Sequence, residues 1–402
     1  MKILLLAPHP FYQERGTPIA VDLLLRVLSG LGHTVDVLTY PEGEDRAYPG
    51  VRIHRLAAGR WARGVPPGPS WKKLALDARM LPRALAMARM GNYDLIHAVE
   101  EATLMAYLIG RRSGLPYVYD MDSSIARQLV EKYPLLRPAL APLARAEACA
   151  LRHAAGVLAV CDALAEIARA AGARRVDVLR DIALLDRGAS FEPGALRRSW
   201  NAPGTVFLYA GNLERYQGID LLLHSFARAG LPAARLVIAG GAARQIAAYR
   251  DLAARLNLAD RVLFLGHQPV TRLAELCEAA DVAVSPRMRG GNTPMKIYSY
   301  MASGRALLAT ALPTHTQVLT DETACLASPT PEAMAEAMRQ LDGDPERRAR
   351  LGAAAQAEAA RRYSWTAYRA TAENFYRWIE AGIAARRRQS APAPAATEAP
   401  AP

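Results

Sequence analysis

Short apolar runs that end in glycine or polar loops, each followed by a segment with helical spacing, recur in two series along this chain. The first opens with KILLLAP and passes through the loop HPFYQERGTP into AVDLLLRVLSGLG, where Val21, Leu24, Leu25 and Leu28 share a helical face. HTVDVLTYP, VRIHRL, YDLIHAV, LPYVYDMD and GVLAVCD carry the rhythm onward. Continuous rather than alternating hydrophobicity, with helical crossovers between the runs, specifies parallel strands buried on both faces. The second series, VFLYAGN, ARLVIAGG, RVLFLGH, DVAVSP and ALLATAL, begins near Thr205, after the polar, turn-rich stretch SFEPGALRRSWNAPG. The expected fold class is α/β, with two tandem Rossmann-like, doubly wound domains over residues 1–190 and 204–363. Such sheets bind ligands at the carboxyl ends of their strands, so both domains offer post-strand loops to a shared cleft. Residues 364–388 read as a last helix, and the Pro/Ala-rich stretch 389–402 is expected to be disordered because it has nothing to pack.

A length of 402 residues suits two domains. Lys and Arg number 50 against 38 Asp and Glu, a surplus of 12 positive charges that points to an anionic partner. Cys149, Cys161, Cys277 and Cys325 are scattered without a CxxC pair, which argues against a zinc site or disulfide framework. MKILLLAPHPF is too short in apolar length for a signal peptide, and no run reaches the ~18 apolar residues of a membrane span. A cytoplasmic protein is expected.

The loop that follows DVAVSP carries the clearest chemistry. Gly290 and Gly291 can bring backbone N–H groups close to a ligand, and Pro294 suits a first helical turn, so a helix is expected from about Thr293. Free N–H groups and the helix dipole there favour a phosphate, which also explains a cation, Lys296, at that end. Gly304 reads as the terminator of that helix. AGNLERYQGID contributes Gly211 for close approach, with Arg215 and Gln217 reaching into the cleft. Gly16, in RGTP, is a third glycine before a helix, on the opposing domain. Three such loops argue for a phosphorylated ligand. No GxGxxG follows the first strand and no acidic ribose partner follows the second, so NAD or FAD is not expected and no cofactor is assigned.

RGTP, YDLIHA, GNLERYQGID and the run SP…GNTPMKIYSYMASG…AT resemble GT-B glycosyltransferases of the large family 4, over roughly residues 1–380. THTQVL, PEAMAEAM and RYSW fit the same pattern. The resemblance implies retaining sugar transfer from a nucleotide diphosphate sugar without a metal. It places the nucleotide on the C-terminal domain and the acceptor on the N-terminal one, with a last helix, Trp365 to Trp378, crossing back. Carried onto this sequence, the donor set comprises Gly16, Gly211, Asn212, Arg215, Gln217, Gly240, Gly266, His267, Arg287, Gly290, Gly291, Asn292, Thr293, Lys296 and Ser299. Three departures from the family pattern fall on four positions. Gln217 stands where a Lys is common, Gly291 and Ser299 stand where paired glutamates are common, and Asp122 stands where a His is common.

Breaking the sugar–diphosphate bond builds negative charge on the leaving phosphate, which Arg215, Lys296 and the amides of Gly16 and Gly290 to Thr293 are placed to stabilise. Arg15 or Arg289 could compensate for Gln217. Asp122 and His97 are the candidate catalytic residues. Asp122 either contacts sugar or acceptor or caps the helix that opens at SSIARQL; His97 is either functional or a packed strand-end residue. Glu100 and Glu101 either bind sugar hydroxyls or are solvated, and Cys161 reads as packing. The basic segment 60–89, with Trp61, Trp71, Lys72, Lys73, Arg79 and Arg83, suits either an anionic membrane surface or a solvated helix. Nucleic acid is not expected, because no binding motif gathers the cations. The function expected is transfer to a glycan or lipid-linked acceptor in surface polysaccharide or glycolipid synthesis. The alternatives are a catalytically weakened member that binds nucleotide sugar or a partner enzyme without turnover and, last, a nucleotide-sugar 2-epimerase.

Overall fold

A computed structural model describes residues 1–66, 68, 70–185 and 194–390. The first half of the expected boundary stretch (186–193) and most of the Pro/Ala tail (391–402) lie outside the described residues. The first sheet comprises β1 (Lys2–Ala7), β2 (Thr34–Thr39), β3 (Val51–Arg55), β4 (Leu95–Val99), β5 (Tyr117–Met121), β6 (Gly156–Ala159) and β7 (Val176–Val178). Its order is β3-β2-β1-β4-β5-β6-β7, every pairing parallel. The second comprises β8 (Val206–Ala210), β9 (Arg235–Ala239), β10 (Val262–Gly266), β11 (Val282–Ser285), β12 (Ala306–Thr310) and β13 (Cys325–Ala327), in the order β10-β9-β8-β11-β12-β13 and again parallel. In each sheet the order reverses beside the first strand, which opens a crevice at β1/β4 and at β8/β11. The strands β7 and β13, three residues each, escape a reading of periodicity because they are too short to carry one.

Ile3, Leu5 and Val118 face one side of the first sheet, Leu4, Leu6 and Tyr119 the other, all without exposed area, as expected for strands covered on both faces. The terminal helix Trp365–Ser390 covers the first of these faces with Tyr368, Ala372, Phe375, Tyr376 and Ile379. Gly156, at the start of β6, makes room for this packing: a Cβ there would stand 2.8 Å from the Phe375 ring. The helix that follows the second sheet thus completes the core of the first.

The strand ends of the two sheets meet directly. Glu14 accepts from the Val270 amide (3.1 Å), the Leu184 amide donates to Ser299 Oγ (2.9 Å), and the Cys161 thiol lies 3.6 Å from the Gly291 carbonyl oxygen. Met295 and Val270 pack against the core that holds Tyr12 and Ile19.

Candidate active site

The C-terminal wall of the cleft is built from interlocking glycine turns. Gly211 follows β8 at φ +150° and Gly240 follows β9 at φ +116°, both in the left-handed range that favours glycine. A Cβ on Gly240 would overlap the Gly211 carbonyl oxygen, and one on Gly211 would press on Lys296 Nζ at 2.8 Å. The Gly240 amide donates to the Gly266 carbonyl (2.6 Å), which ties the ends of β9 and β10 together. Gly240→Ala is therefore expected to cost about 1–3 kcal/mol through the strained φ and the displaced Gly211 turn. Its measure is a fall in Tm together with weakened nucleotide binding.

Lys296 sits at the centre of this wall. Its amine donates to Gln217 Oε1 (3.2 Å) and lies 3.8 Å from the Tyr209 ring centroid. Burial, reinforced by the Arg287 guanidinium, pushes the ammonium well below its ordinary range. Among the described residues no carboxylate pairs with it. Arg287 is buried, with its guanidinium donating to the Arg289 carbonyl (2.7 Å) and Asn292 Oδ1 (3.0 Å) and lying 5.3 Å from the Tyr216 ring centroid. The glutamine at 217, where the family commonly has a Lys, thus receives the amine of Lys296 from another element.

The helix expected from Thr293 begins instead at Lys296 and runs to Ser303. Pro294 disfavours helical φ/ψ at Thr293, and the Ile297 amide bonds to the Pro294 carbonyl, so the first turn closes one step later. Among the described residues, the N–H groups of Gly290, Gly291, Asn292 and Thr293 find no acceptor. A Cβ added to Gly16 or to Gly291 would meet no atom within 4 Å, so both glycines stand at open space. The Gly16–Gly30 helix likewise begins without a side-chain cap. His315, within the THTQVL segment, is buried and holds the wall from behind. Its Nε2 bonds Ser285 Oγ (2.9 Å) and its Nδ1 bonds Thr310 Oγ1 (3.0 Å). Burial lowers its pKa to about 4, so it stays neutral.

Other expected contacts differ in exposure. Arg215 is exposed on the short turn Arg215–Gln217, and His267 is also exposed. Asn212 offers its carbonyl to the Tyr209 hydroxyl (2.5 Å) and its Oδ1 to the Glu214 amide (3.3 Å). Ser299 is buried with its hydroxyl accepting from the Leu184 amide, so it fastens the crossing chain.

On the N-terminal wall, Ser124, not Asp122, caps the Ile125–Lys132 helix, which removes the capping explanation for Asp122. Asp122 stands beside Thr17, in the first turn of the Gly16–Gly30 helix. Burial, and then the charges of Asp120, Glu100 and Asp181, raise its carboxyl well above the usual range. Asp181, which carries no motif in the sequence, is buried and pushed to about 7 by burial and by Asp120. His97 is corrected as a candidate for catalysis. Its ring has no exposed area and both nitrogens are engaged, Nε2 with Asp120 Oδ2 (3.1 Å) and Nδ1 with the Tyr376 hydroxyl (2.7 Å).

Glu100 and Glu101 are neither solvated nor free for sugar. Lys73, from the Trp71–Met90 helix, reaches Glu101 Oε1 at 2.6 Å and Glu100 Oε2 at 3.4 Å. Lys73 therefore turns inward from the basic segment, although its neighbour Trp71 points out. His9 follows β1 into this pocket with its Nε2 unpartnered, and burial lowers it to about 4. An isolated His after a strand carries no sequence signal that could single it out. Cys161 packs, as expected, but packs across the cleft onto Gly291.

Two Rossmann-like sheets facing one cleft, with a terminal helix returning to the first, define the GT-B class. Residues 15–180 match the family described as Glycosyl transferase 4-like domain, and residues 196–358 match Glycosyl transferases group 1. The chain belongs to these GT-B glycosyltransferases. It is 29% identical over 382 residues to a D-inositol 3-phosphate glycosyltransferase of Xylanimonas cellulosilytica, a match covering 87% of this chain and 88% of that protein. A protein of the same name from Mycobacteroides abscessus is 27% identical over 279 residues, covering 67% of this chain and 60% of that protein. Among solved structures, sucrose-phosphate synthase from Thermosynechococcus elongatus superposes with a TM-score of 0.77 at 22% identity, covering 95% of this chain and 99% of that one.

Proposed function

We propose that this chain moves a sugar, with retention of anomeric configuration, from a nucleotide diphosphate sugar to a hydroxyl of a glycan or lipid-linked acceptor. One observation carries the reading: Lys296 is a desolvated amine without a carboxylate partner among the described residues, set against glycine turns and beside a loop of unbonded N–H groups. A diphosphate supplies the missing counter-charge, and the same donors stabilise the charge that grows on it as the glycosidic bond breaks. Asp122 meets the sugar or acceptor from the opposite wall. The synthesis of surface polysaccharide or glycolipid is the setting this chemistry suits.

The test is a panel of UDP-, GDP- and ADP-sugars, read by thermal shift and by transfer to acceptors that include D-inositol 3-phosphate, after the relatives' names. Stabilisation by at least one donor, with transfer, is the expected result. Failure of every donor to bind overturns the proposal, and binding without turnover to any acceptor turns it into the weakened-enzyme reading.

No helix among the described residues is long and apolar enough to cross a membrane. We place the enzyme instead at the inner membrane face, through the segment 60–89. Trp71 and Leu74 are 68% and 72% exposed, Trp61 stacks on Trp71 at 6.4 Å, and Arg79 lies 5.0 Å from the Trp61 ring centroid. Apolar anchors flanked by cations suit anionic headgroups. The double variant Trp71→Ser/Leu74→Ser is expected to lose at least tenfold in binding to phosphatidylglycerol vesicles, since each lost anchor is worth about 1.5–3 kcal/mol when fully buried. Cosedimentation unchanged by the substitutions, or equal on phosphatidylcholine, refutes this placement.

A further inference from the structure

Three strand ends of the first sheet converge on a crevice that the donor wall does not use. β1 runs parallel to β2 and β4, with Ala7 opposite Thr39 and Leu6 opposite Ala98. Tyr40, His9 and the pair Glu100 and Glu101 therefore leave the sheet side by side. The strand order reverses between β1 and β4, which is where parallel sheets of this kind take their ligands. The Trp71–Met90 helix contributes Lys73, whose amine reaches Glu101 Oε1 (2.6 Å) and Glu100 Oε2 (3.4 Å), and Asp77, which accepts from the Tyr40 hydroxyl (2.6 Å). Glu100 holds its place at φ +48°, a left-handed conformation unfavourable for a long side chain. One group here lacks a partner. His9 is buried, its Nδ1 bonds the Pro10 carbonyl (3.0 Å), and its Nε2 bonds nothing. The His9 carbonyl accepts from the Thr39 hydroxyl (2.6 Å) and the Tyr40 amide (3.3 Å), which pins its backbone beside Tyr40. A carbonyl only accepts, so Nδ1 carries the hydrogen and Nε2 is a bare acceptor. A hydroxyl can fill it, whereas an ionised phosphate oxygen has no hydrogen to give.

The charge of the crevice points the same way. Asp77, Glu100 and Glu101 share Lys73, and the other cation acting on His9 and Glu100, Arg15, gives a guanidinium hydrogen to the Val65 carbonyl (3.2 Å). Burial, helped by the Glu100 charge, raises the Asp77 and Glu101 carboxyls above their ordinary range, so the place resists even the negative charge it holds. We propose that this crevice seats the acceptor and selects it by charge: it takes an uncharged, hydroxyl-bearing ring, one hydroxyl of which donates to His9 Nε2, and turns away a ring phosphorylated at that end. The inference rests on the proposed function for the use of the seat and deepens it by naming the class of acceptor. Glu100 and Glu101 act by repulsion and need not touch the sugar, and Lys73 is the positioning residue that holds them at the strand end.

The experiment is NMR of the histidine ring nitrogens in the full chain labelled with 15N-histidine, with no donor added. His9→Gln assigns the His9 signals. Burial lowers His9 to about 4, so its signals at neutral pH report contact and not protonation. The probes are myo-inositol, the methyl α-glycosides of glucose, mannose and galactose, and D-inositol 3-phosphate, which differs from the first by its phosphate alone. At least one neutral ring is expected to shift the Nε2 signal in a saturable way. D-inositol 3-phosphate should bind there more weakly than that ring by about tenfold or more, since like charges are brought together. Glu100→Gln keeps the shape and removes a charge, so it should raise the affinity for D-inositol 3-phosphate by about tenfold. A Glu100 with a structural part alone gives no such gain. The proposal is overturned if no neutral ring shifts Nε2, if the wild type binds D-inositol 3-phosphate as tightly as the neutral rings, or if Glu100→Gln brings no gain for it. Should Glu100→Gln fail to fold, Glu101→Gln, which frees the Lys73 amine for an anion, carries the same expectation and the same refutation. None of these readouts requires donor binding, so failure of the donor panel and failure of this inference are told apart.

Discussion

Replacing Lys296 with Met is expected to weaken binding of UDP- or GDP-sugar by about 10–10²-fold, the loss of one hydrogen bond to a charged group, while the ligand-free protein gains stability. The two effects have one cause. The amine sits against the Tyr209 ring and Gln217 without a carboxylate among the described residues, so its charge is poorly solvated until an anion arrives. Methionine fills a similar volume and has no charge to desolvate. A Tm rise of about 2–4 °C corresponds to ~1 kcal/mol for a domain of this size. Calorimetry and thermal melts of the two proteins check both halves, and a variant that binds donor as well as the wild type removes Lys296 from the phosphate site. The pH dependence has a definite sign. Lys296 is held below its ordinary ~10.4 in the folded state, so the unfolded chain binds more protons between the folded value and 10.4. Stability from this group therefore rises with pH across that window and is lost as pH falls through the folded value. Donor binding should take up a proton, visible as a binding enthalpy that changes with the ionisation enthalpy of the buffer.

Asp122→Asn is expected to lower turnover by about 10²–10⁴-fold, the range for a group that moves or holds a proton at the reacting centre, with donor binding largely kept. The helix after β5 does not suffer, because Ser124 is its cap and Glu147 accepts from the Ile125 and Ala126 amides. Relative to the wild type, stability of the variant should rise above about pH 5. The folded carboxyl is raised well above its unfolded ~3.9, so its stabilising contribution is complete below that value and is lost as pH climbs through the folded one. Asn removes a group that resists ionisation beside Asp120 and Asp181. Comparing kcat and KM of the variant with Tm at pH 5 and pH 8 checks these expectations. Full activity in the variant would take Asp122 out of the chemistry.

How the C-terminal wall is built was partly legible in advance. Gly211, Gly240 and Gly290 are glycines for reasons a reader of the sequence can state, since each follows a strand and precedes a close approach. That the amine of Lys296 reaches Gln217 was not legible. The two are 79 positions apart, and only the packing of the helix at Lys296–Ser303 against the end of β8 brings the amine to Gln217. His97 illustrates the opposite failure. A His closing a strand is the same text whether it opens to substrate or lies under a helix, and the helix that covers it begins at Trp365.

The recurring apolar runs with helical crossovers determined by themselves that this chain forms two parallel sheets, because a strand buried on both faces has no other way to dispose of its side chains. The surplus of positive charge determined only that an anion is involved. The tertiary structure decided where the cations stand: Lys296 beside the glycine turns, Arg287 bracing their loop, Lys73 turned inward to two glutamates, and Arg215 exposed. It also decided that Asp122 is not a cap and that His97 belongs to the terminal helix as much as to its own strand. Spacing along the chain fixes which face a residue takes, whereas the value of a charge depends on the dielectric and the partners that distant segments bring to it.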